Sequence, residues 1–358
     1  MAEDFARIER TYTYTYDQFT VFFYEGNVFL GGKKYSIGQC CVDMVNLDES
    51  VLNEISQRVD AFIPAALALL KEKTDSAAAL AQEKLNAVWD IVFSLPVYRD
   101  LQMDAECNYH TFQRFMADEE KWKQVQDPTS EGYAMYQGMM ASLVCFVDDL
   151  RRFRQQIKRM TERYFEPLKR RNSDTYADAY SCFYADMICV SAQLLGEDFD
   201  QSFPMQIDFV PMMYPNEEDR FFIAEKATFN SLTNFLRTEF YRGLARGNAP
   251  RCCQNCGRYF LLTKGYDTCY CNNIAPGETT RTCRKVGAHR KERREKANRT
   301  PARVEYDRTY NRLKVRKQRK KISSDEWNAA VAKAQELVAQ SGRGELTDEE
   351  LSRQLREL

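Results

Sequence analysis

Histidine is nearly absent from this chain, with two in 358 residues, His110 and His289. They lie in different regions. His289 belongs to a basic stretch, and His110 in "CNYHTFQRF" reads as an ordinary helix residue, so acid–base chemistry built on imidazole has little to draw on. The adjacent carboxylates Asp148 and Asp149 point to different faces of a helix and read as solvent-side charges. The sequence has no Walker loop, no dinucleotide-binding glycine pattern and no nucleophile elbow. The expectation is therefore a protein that is not an enzyme. Long apolar runs are missing too. The longest, "AFIPAALALL", has ten residues and carries Pro64, whereas a membrane span needs about 20; it reads as a buried helix, and no membrane partner is expected. The opening "MAEDFARIER" lacks the basic and then apolar regions of a secretory signal, which points to the cytoplasm and to reduced thiols. No repeat or low-complexity tract is present.

What the chain does have is a composition able to bury a core: 44% apolar, 29% charged and 13% aromatic. Its net charge of −1 conceals a strong segregation. Residues 1–250 carry 26 Lys and Arg against 38 Asp and Glu, a balance of −12. Residues 251–321 carry 21 against 6, or +15, and residues 322–358 carry 4 against 8, or −4. One segment of 71 residues is thus as basic as a dedicated polyanion binder.

Periodicity divides the chain further. In the first 45 residues "TYTYTY" alternates with period two, and "TVFFYEGNVFL" is two aromatic and β-branched runs split by Gly26-Asn27, a hairpin signal. From about Ser50 to Arg171 the period is helical, with Met139, Leu143, Phe146 and Leu150 as one expected core-facing stripe. A helix over Asp174–Leu195, a β-like "MQIDFVPMMYP" and a helix over "ATFNSLTNFLRTEFYRGLARG" come next, with Gly247 at the end of the last. Charge and cysteine density both change at "GNAP", residues 247–250. The expected organisation is mainly α: a β-hairpin element over 1–46, a helical domain over 47–247, a zinc-ribbon-like finger over 248–289, and a basic helix with short C-terminal helices over 290–358. Two helix starts in the last part carry capping boxes, Ser323 with Glu326 and Thr347 with Glu350.

Six of the twelve cysteines fall within residues 252–283. Cys253-x2-Cys256-Gly257 has the form of a zinc knuckle, in which a tight turn brings two thiolates onto one face of a tetrahedral ion. Cys271 and Cys283 complete a set of four, and "GRYFLL" between the pairs reads as a strand placing Phe260 or Leu262 under the site. Cys252, Cys269 and His289 stand as alternatives for one position. Metal outweighs a disulfide on magnitude: a structural zinc site supplies about 10–16 kcal/mol of apparent binding energy, against about 2–4 kcal/mol for a disulfide. Four thiolates close the coordination shell, so the Zn2+ would be structural. The remaining cysteines, Cys40, Cys41, Cys107, Cys145, Cys182 and Cys189, sit in apolar contexts suited to packing.

The stretch "CQNCGRYF…YCNNIAPGETTRTCRKVGAHRK" resembles the C-terminal zinc finger of an uncharacterised bacterial family common in anaerobic gut Firmicutes, in which a long helical region precedes the finger. More distantly it is similar to the CGNR zinc-finger proteins, regarded as DNA-binding regulators with a helical domain in front. This chain has Cys283-Arg284-Lys285-Val286 where the CGNR tetrad would stand. The nearer resemblance implies a fold, the distant one DNA binding.

The basic segment carries its own signal. Arg258, Lys264, Arg281 and Arg284 can neutralise a four-thiolate centre of formal charge −2. Beyond them, residues 290–303 hold almost nothing apolar, so that helix must be solvated or laid on a polar partner. Glu292 with Lys296 and Glu295 with Arg299 are favourable i,i+4 pairs, which leaves Arg290, Lys291, Arg293 and Arg294. In the next helix Tyr306, Tyr310 and Leu313 form a docking face, while Arg308, Arg312, Arg316 and Arg319 form a separate row that Lys314, Lys317, Lys320 and Lys321 widen. Such a row repels itself unless it meets an anion, and guanidinium groups suit phosphates. Together with Arg284 and Lys285 these residues make a nucleic-acid contact surface, DNA ahead of RNA. The rival expectation is a protein-interaction module, in which the basic helices meet acidic protein surface within the chain or in a homo-oligomer.

Overall fold

The computed structural model describes residues 18–101, 111–189, 203, 205–213, 220–263, 268–297 and 299–358. The "TYTYTY" run, Cys107, His110, Lys264 and the last six residues of the helix expected over 174–195 lie outside the described residues, as do the side chains of Cys189 and Lys291. The chain gathers into two compact units, Met1–Cys271 and Asn272–Leu358. Thirteen α-helices dominate the described residues, in line with the mainly α expectation.

In the first unit, β1 (Phe19–Tyr24), β2 (Asn27–Leu30), β3 (Lys33–Ser36), β4 (Gln206–Met213) and β5 (Phe221–Phe229) form an antiparallel sheet in the order β3-β2-β1-β5-β4. The first hairpin turns on Glu25 and Gly26, with φ of 46° and 81°, one residue earlier than the Gly26-Asn27 signal. A two-residue turn of this hand needs left-handed backbone at both central positions, and Asn27 serves it from the outside by donating its side-chain amide to the carbonyls of Glu25 and Tyr24. The expected helix from Ala227 is corrected by β5. Ala227 pairs with Val21 and Phe229 with Phe19, and helix begins only at Leu232, where the Ser231 hydroxyl accepts the Asn234 N–H.

Helices α1 (Gln39–Val45), α2 (Glu49–Glu72), α3 (Asp75–Val92), α4 (Pro96–Leu101), α5 (Thr111–Ala117), α6 (Glu119–Gln126), α7 (Glu131–Met160), α8 (Ser173–Cys189) and α9 (Leu232–Ala245) complete the helical part. Asp48, Thr74, Asp118 and Ser130 cap four of them through their side chains. The deep face of α7 runs through Tyr136, Met140, Leu143, Val147, Leu150 and Ile157. Met139 and Phe146 flank it, partly buried; the stripe expected from sequence is right at Leu143 and Leu150 and one residue off at the others. α7 passes directly into a π-helical turn, Thr161–Phe165, closed by the Glu166 N–H on the Thr161 carbonyl.

One buried acid organises the corner between β3 and α1. Glu239 on α9 is fully buried, and its carboxylate accepts the N–H groups of Gly38 at 2.6 Å, Cys40 at 3.1 Å and Cys41 at 2.9 Å. These are the orphan donors of a helix start, where an anion is also favoured by the peptide dipoles. Gly247 closes α9 with a φ of 82°, and the Asn248 amide returns to the Ile37 carbonyl at 3.0 Å. Two short strands, β6 (Ala249–Cys252) and β7 (Tyr259–Leu262), follow as an antiparallel pair. Ala249 and Tyr259 belong to the same core as the helices.

The second unit contains α10 (Cys283–Ala297), α11 (Pro301–Gln318), α12 (Ser324–Gly342) and α13 (Asp348–Glu357). The last three pack around Tyr306, Ala334, Leu337, Leu351 and Leu355, so the docking face on α11 is used as expected. Both capping boxes form.

Burial pushes the Glu239 carboxyl up to about 7, against the pull of the three N–H groups. An acid that holds its proton more tightly when folded stabilises the fold at low pH and loses that contribution as pH rises from its unfolded value of about 4.5 through 7. Relative to a Glu239→Gln variant, the wild-type chain should therefore lose about 3 kcal/mol of stability across that window, measured by denaturant unfolding at a series of pH values. Parallel curves for the two proteins would show that the group does not titrate there.

Candidate metal centre

The knuckle is built on β6 and β7. Arg251 pairs with Phe260 and Cys252 with Tyr259, so the two strands bring the chain to the turn at Cys253–Gly257. The Gly257 N–H bonds the Cys253 carbonyl at 2.9 Å, the Cys253 N–H bonds the Arg258 carbonyl at 2.9 Å, and Gly257 takes a φ of 73°, a conformation that disfavours any residue with a Cβ. The Gln254 N–H reaches the Cys269 carbonyl at 2.9 Å and the Cys271 N–H reaches the Cys253 sulfur at 3.4 Å, which draws the third cysteine in beside the first two.

The fourth arrives on a separate small closure. Ile274 and Thr282 form an isolated antiparallel bridge, the Ala275 N–H bonds the Arg281 carbonyl, and the Cys283 N–H bonds the Asn273 carbonyl at 2.8 Å. The loop turns back at Pro276 and Gly277, with Gly277 at a φ of 78°. Cys283 is the first residue of α10.

The thiol sulfurs of Cys253, Cys256, Cys271 and Cys283 all lie within 4.8 Å of one another, and the Cys256 and Cys271 sulfurs are 3.7 Å apart. A tetrahedral zinc with bonds of about 2.3 Å requires edges of about 3.8 Å between its sulfurs. The donor set fits the ion in number, softness and spacing. Cys253, Cys271 and Cys283 are buried and Cys256 half-buried. Burial opposes ionisation of Cys253, but N–H groups of Cys271, Asn255 and Cys256 together with the Cys256 thiol outweigh it and hold the thiol below its ordinary range, as a metal-binding thiolate requires.

The alternatives are placed elsewhere. The Cys252 sulfur faces the Gly257 carbonyl at 3.3 Å, and burial beside Glu166 and other acidic neighbours pushes its pKa up. Cys269 lends the cluster its carbonyl, through the Gln254 N–H, and its sulfur is not among the four. His289 is largely exposed and faces Glu292 on its own helix. Cys40, Cys41 and Cys145 are buried, as expected of packing cysteines, whereas Cys182 is exposed.

Sequence reasoning missed the seat of the knuckle. Asn46, just past α1, donates its side-chain amide to the Tyr259 carbonyl at 2.7 Å and accepts the Tyr259 N–H at 2.8 Å, so one side chain acts as an extra strand residue for β7. The Tyr259 hydroxyl donates to Glu162 on the π-helical turn at 2.8 Å. Arg251 faces Glu166 at 3.7 Å and donates to the Thr268 carbonyl at 2.9 Å. Gly38 completes the seat, because a Cβ there would stand 2.6 Å from a methyl of Leu261. In the strand itself Tyr259 and Leu262 are buried and Phe260 half-buried, so Leu262 rather than Phe260 turns inward.

The basic residues divide into two groups. On α10, Arg284, Lys285, Arg290, Arg293 and Arg294 are exposed, and Arg299, just past that helix, pairs with Asp307 on α11 at 2.8 Å. On α11 the guanidinium row is partly consumed within its own unit. Arg308 pairs with Glu305 at 2.6 Å, Arg312 donates to the Leu355 carbonyl at 2.7 Å, and Arg316 donates to the Leu358 carbonyl at 2.8 Å. Cations at the C-terminus of α13 satisfy free carbonyls and complement the helix dipole, so the self-repulsion expected of the row is relieved there. Lys317 lies 4.2 Å over the Trp327 ring. Lys314, Arg319, Lys320 and Lys321 are exposed at or near the end of α11. Arg281 pairs with Glu278 at 2.5 Å, while Arg258 beside the knuckle is exposed.

A family of unknown function (DUF6076) matches residues 200–358, which takes in the cysteine cluster and all four C-terminal helices. No curated protein and no solved structure matches the chain. Among the described residues no helix is long and apolar enough to cross a membrane.

Replacing any one of Cys253, Cys256, Cys271 or Cys283 by serine should lower the bound metal from about one ion per chain to a small fraction of that, because three thiolates leave the shell open. Cys252→Ser and Cys269→Ser should leave it unchanged. Elemental analysis of the purified variants decides, and loss of metal in either of the last two would reassign the ligand set.

Proposed function

We propose that the chain is a zinc-containing, cytoplasmic nucleic-acid-binding protein that acts on duplex DNA as a regulator and not as an enzyme. The observation that carries this reading is α10. Its first residue is a member of the four-thiol cluster, and it runs to Ala297. Among its described side chains after Cys283, Arg284, Lys285, His289, Arg290, Arg293 and Arg294 are exposed, and only Val286, half-buried, is a large apolar residue. A helix of this kind has no apolar stripe to bury and gains from surroundings that are anionic on several sides.

The major groove of B-form DNA provides such surroundings. At about 12 Å it admits a helix, whereas the deep and narrow major groove of A-form RNA does not. Arg284, Lys285, Arg290, Lys291, Arg293 and Arg294 supply phosphate contacts along such a helix, and Arg319 and Lys320 extend the basic surface of the same unit. Zinc serves as structure. Bound by four thiolates it fixes the start of α10 and performs no chemistry on a substrate. The acidic balance of residues 1–250 supports a second reading in which the basic helices meet acidic protein surface, and the two respond differently to salt and competitor.

Binding of the full, zinc-loaded chain to a random duplex should fall with salt at a log–log slope near −5, about six phosphates being neutralised. Arg293→Gln with Arg294→Gln should reduce that slope by about two while leaving bound zinc unchanged. Fluorescence anisotropy across a salt series measures both. Absence of duplex binding at low salt, with retained binding to an acidic polypeptide, would favour the second reading.

A further inference from the structure

The hairpin of β4 and β5 carries an apolar strip that the core does not use. Side chains at odd positions share one face: Phe209 lies opposite Glu225, Pro211 opposite Ile223, and Met213 opposite Phe221. The same face of β1 and of the far end of β5 carries Phe19, Val21, Phe23, Ala227 and Phe229, all buried. The ion pair between Arg242 and Glu225 at 2.5 Å, with the Arg242 guanidinium stacked 4.2 Å over Phe23, marks where the covered part ends. Ile207 and Phe209 on the edge strand β4, and Met213, Phe221 and Ile223 beyond the ion pair, stand between 48% and 71% exposed.

Single exposed apolar side chains are ordinary, but a contiguous strip is not. At about 200 Å² for each large side chain, these five expose roughly 600 Å² of apolar surface, the upper end of the largest patch on a typical monomer. A stable interface takes about 800 Å² from each partner, so the strip supplies most of one side.

The edge of β4, by contrast, is closed to strand addition. Pro211 has no N–H to offer, and the Phe209 N–H is already taken by the Asp208 carboxylate at 2.8 Å. Contact through the face is therefore favoured over extension of the sheet. The one charged side chain within the strip, Glu225, is already balanced by Arg242, so the strip carries no pattern of charge that would select a different partner. A flat apolar ribbon is complementary to a second copy of itself turned about a two-fold axis.

We infer that the chain forms a homodimer in which the odd-position faces of the two β4–β5 hairpins pack against each other. Sedimentation velocity of the full-length, zinc-loaded protein should show a concentration-dependent shift from monomer to dimer mass. Phe209→Ser with Ile223→Ser should weaken the dimer by about a hundredfold or more, since anchors near the centre of an interface dominate its affinity, with helical circular dichroism and zinc content unchanged. A wild-type chain that is monomeric at every concentration overturns the inference, as does a dimer that the folded double variant preserves. A monomeric chain that instead floats with phosphatidylcholine vesicles through these residues assigns the strip to lipid and overturns it too.

Discussion

A carboxylate buried at the start of a seven-residue helix fixes the corner on which the metal centre is seated. Glu239 comes from α9, yet its oxygens are spent on the N–H groups of Gly38, Cys40 and Cys41. Those donors have no partner inside α1, and in a buried corner each would cost about 1–3 kcal/mol if left bare. By satisfying them Glu239 determines where α1 starts. That start sets the position of Asn46 at the opposite end of the helix, and Asn46 clamps both polar groups of Tyr259. The two cysteines of the knuckle are thereby held by packing in the first unit before any ion is bound. This arrangement differs from an isolated finger, in which metal supplies nearly all of the folding free energy.

Charge is handled in two ways along the basic segment. Where guanidinium groups lie beside the C-terminus of α13, they take up its carbonyls, so Arg312 and Arg316 are structural as much as electrostatic. Where they lie on α10, they stay at the surface. The difference follows from the apolar residues between them: α11 has Tyr306 and Leu313 to bury, and α10 carries no comparable pair. Net charge by segment cannot separate these roles, because both helices look alike when only Lys and Arg are counted.

The same limit explains what could be read from the chain alone. Local rules succeeded: the knuckle with Gly257, both capping boxes, Gly247 after α9, and the helical period of α7 to within one residue. Cys253 and Cys256 were legible from their short spacing and the glycine after them, whereas Cys271 and Cys283, 15 and 27 positions beyond Cys256, competed with Cys252, Cys269 and His289. Non-local pairings were not legible. Asn46 meets Tyr259 across 213 residues, and nothing in either stretch marks the match. β5 was misread because Ala227–Phe229 adjoins a true helix start at Ser231, and its strand character depends on β1, whose Thr20 lies 208 residues before its partner Thr228. Glu239 resembled any acidic residue on an amphipathic helix until its burial was known.

The π-helical turn at the end of α7 has a mechanical consequence. Such turns are rare and recur at functional sites. Here it carries Glu162 towards Tyr259 and leads to Glu166 beside Arg251. Removing Thr161 would turn both acids by about 100° about the axis of α7, unlatching the hairpin without touching a cysteine.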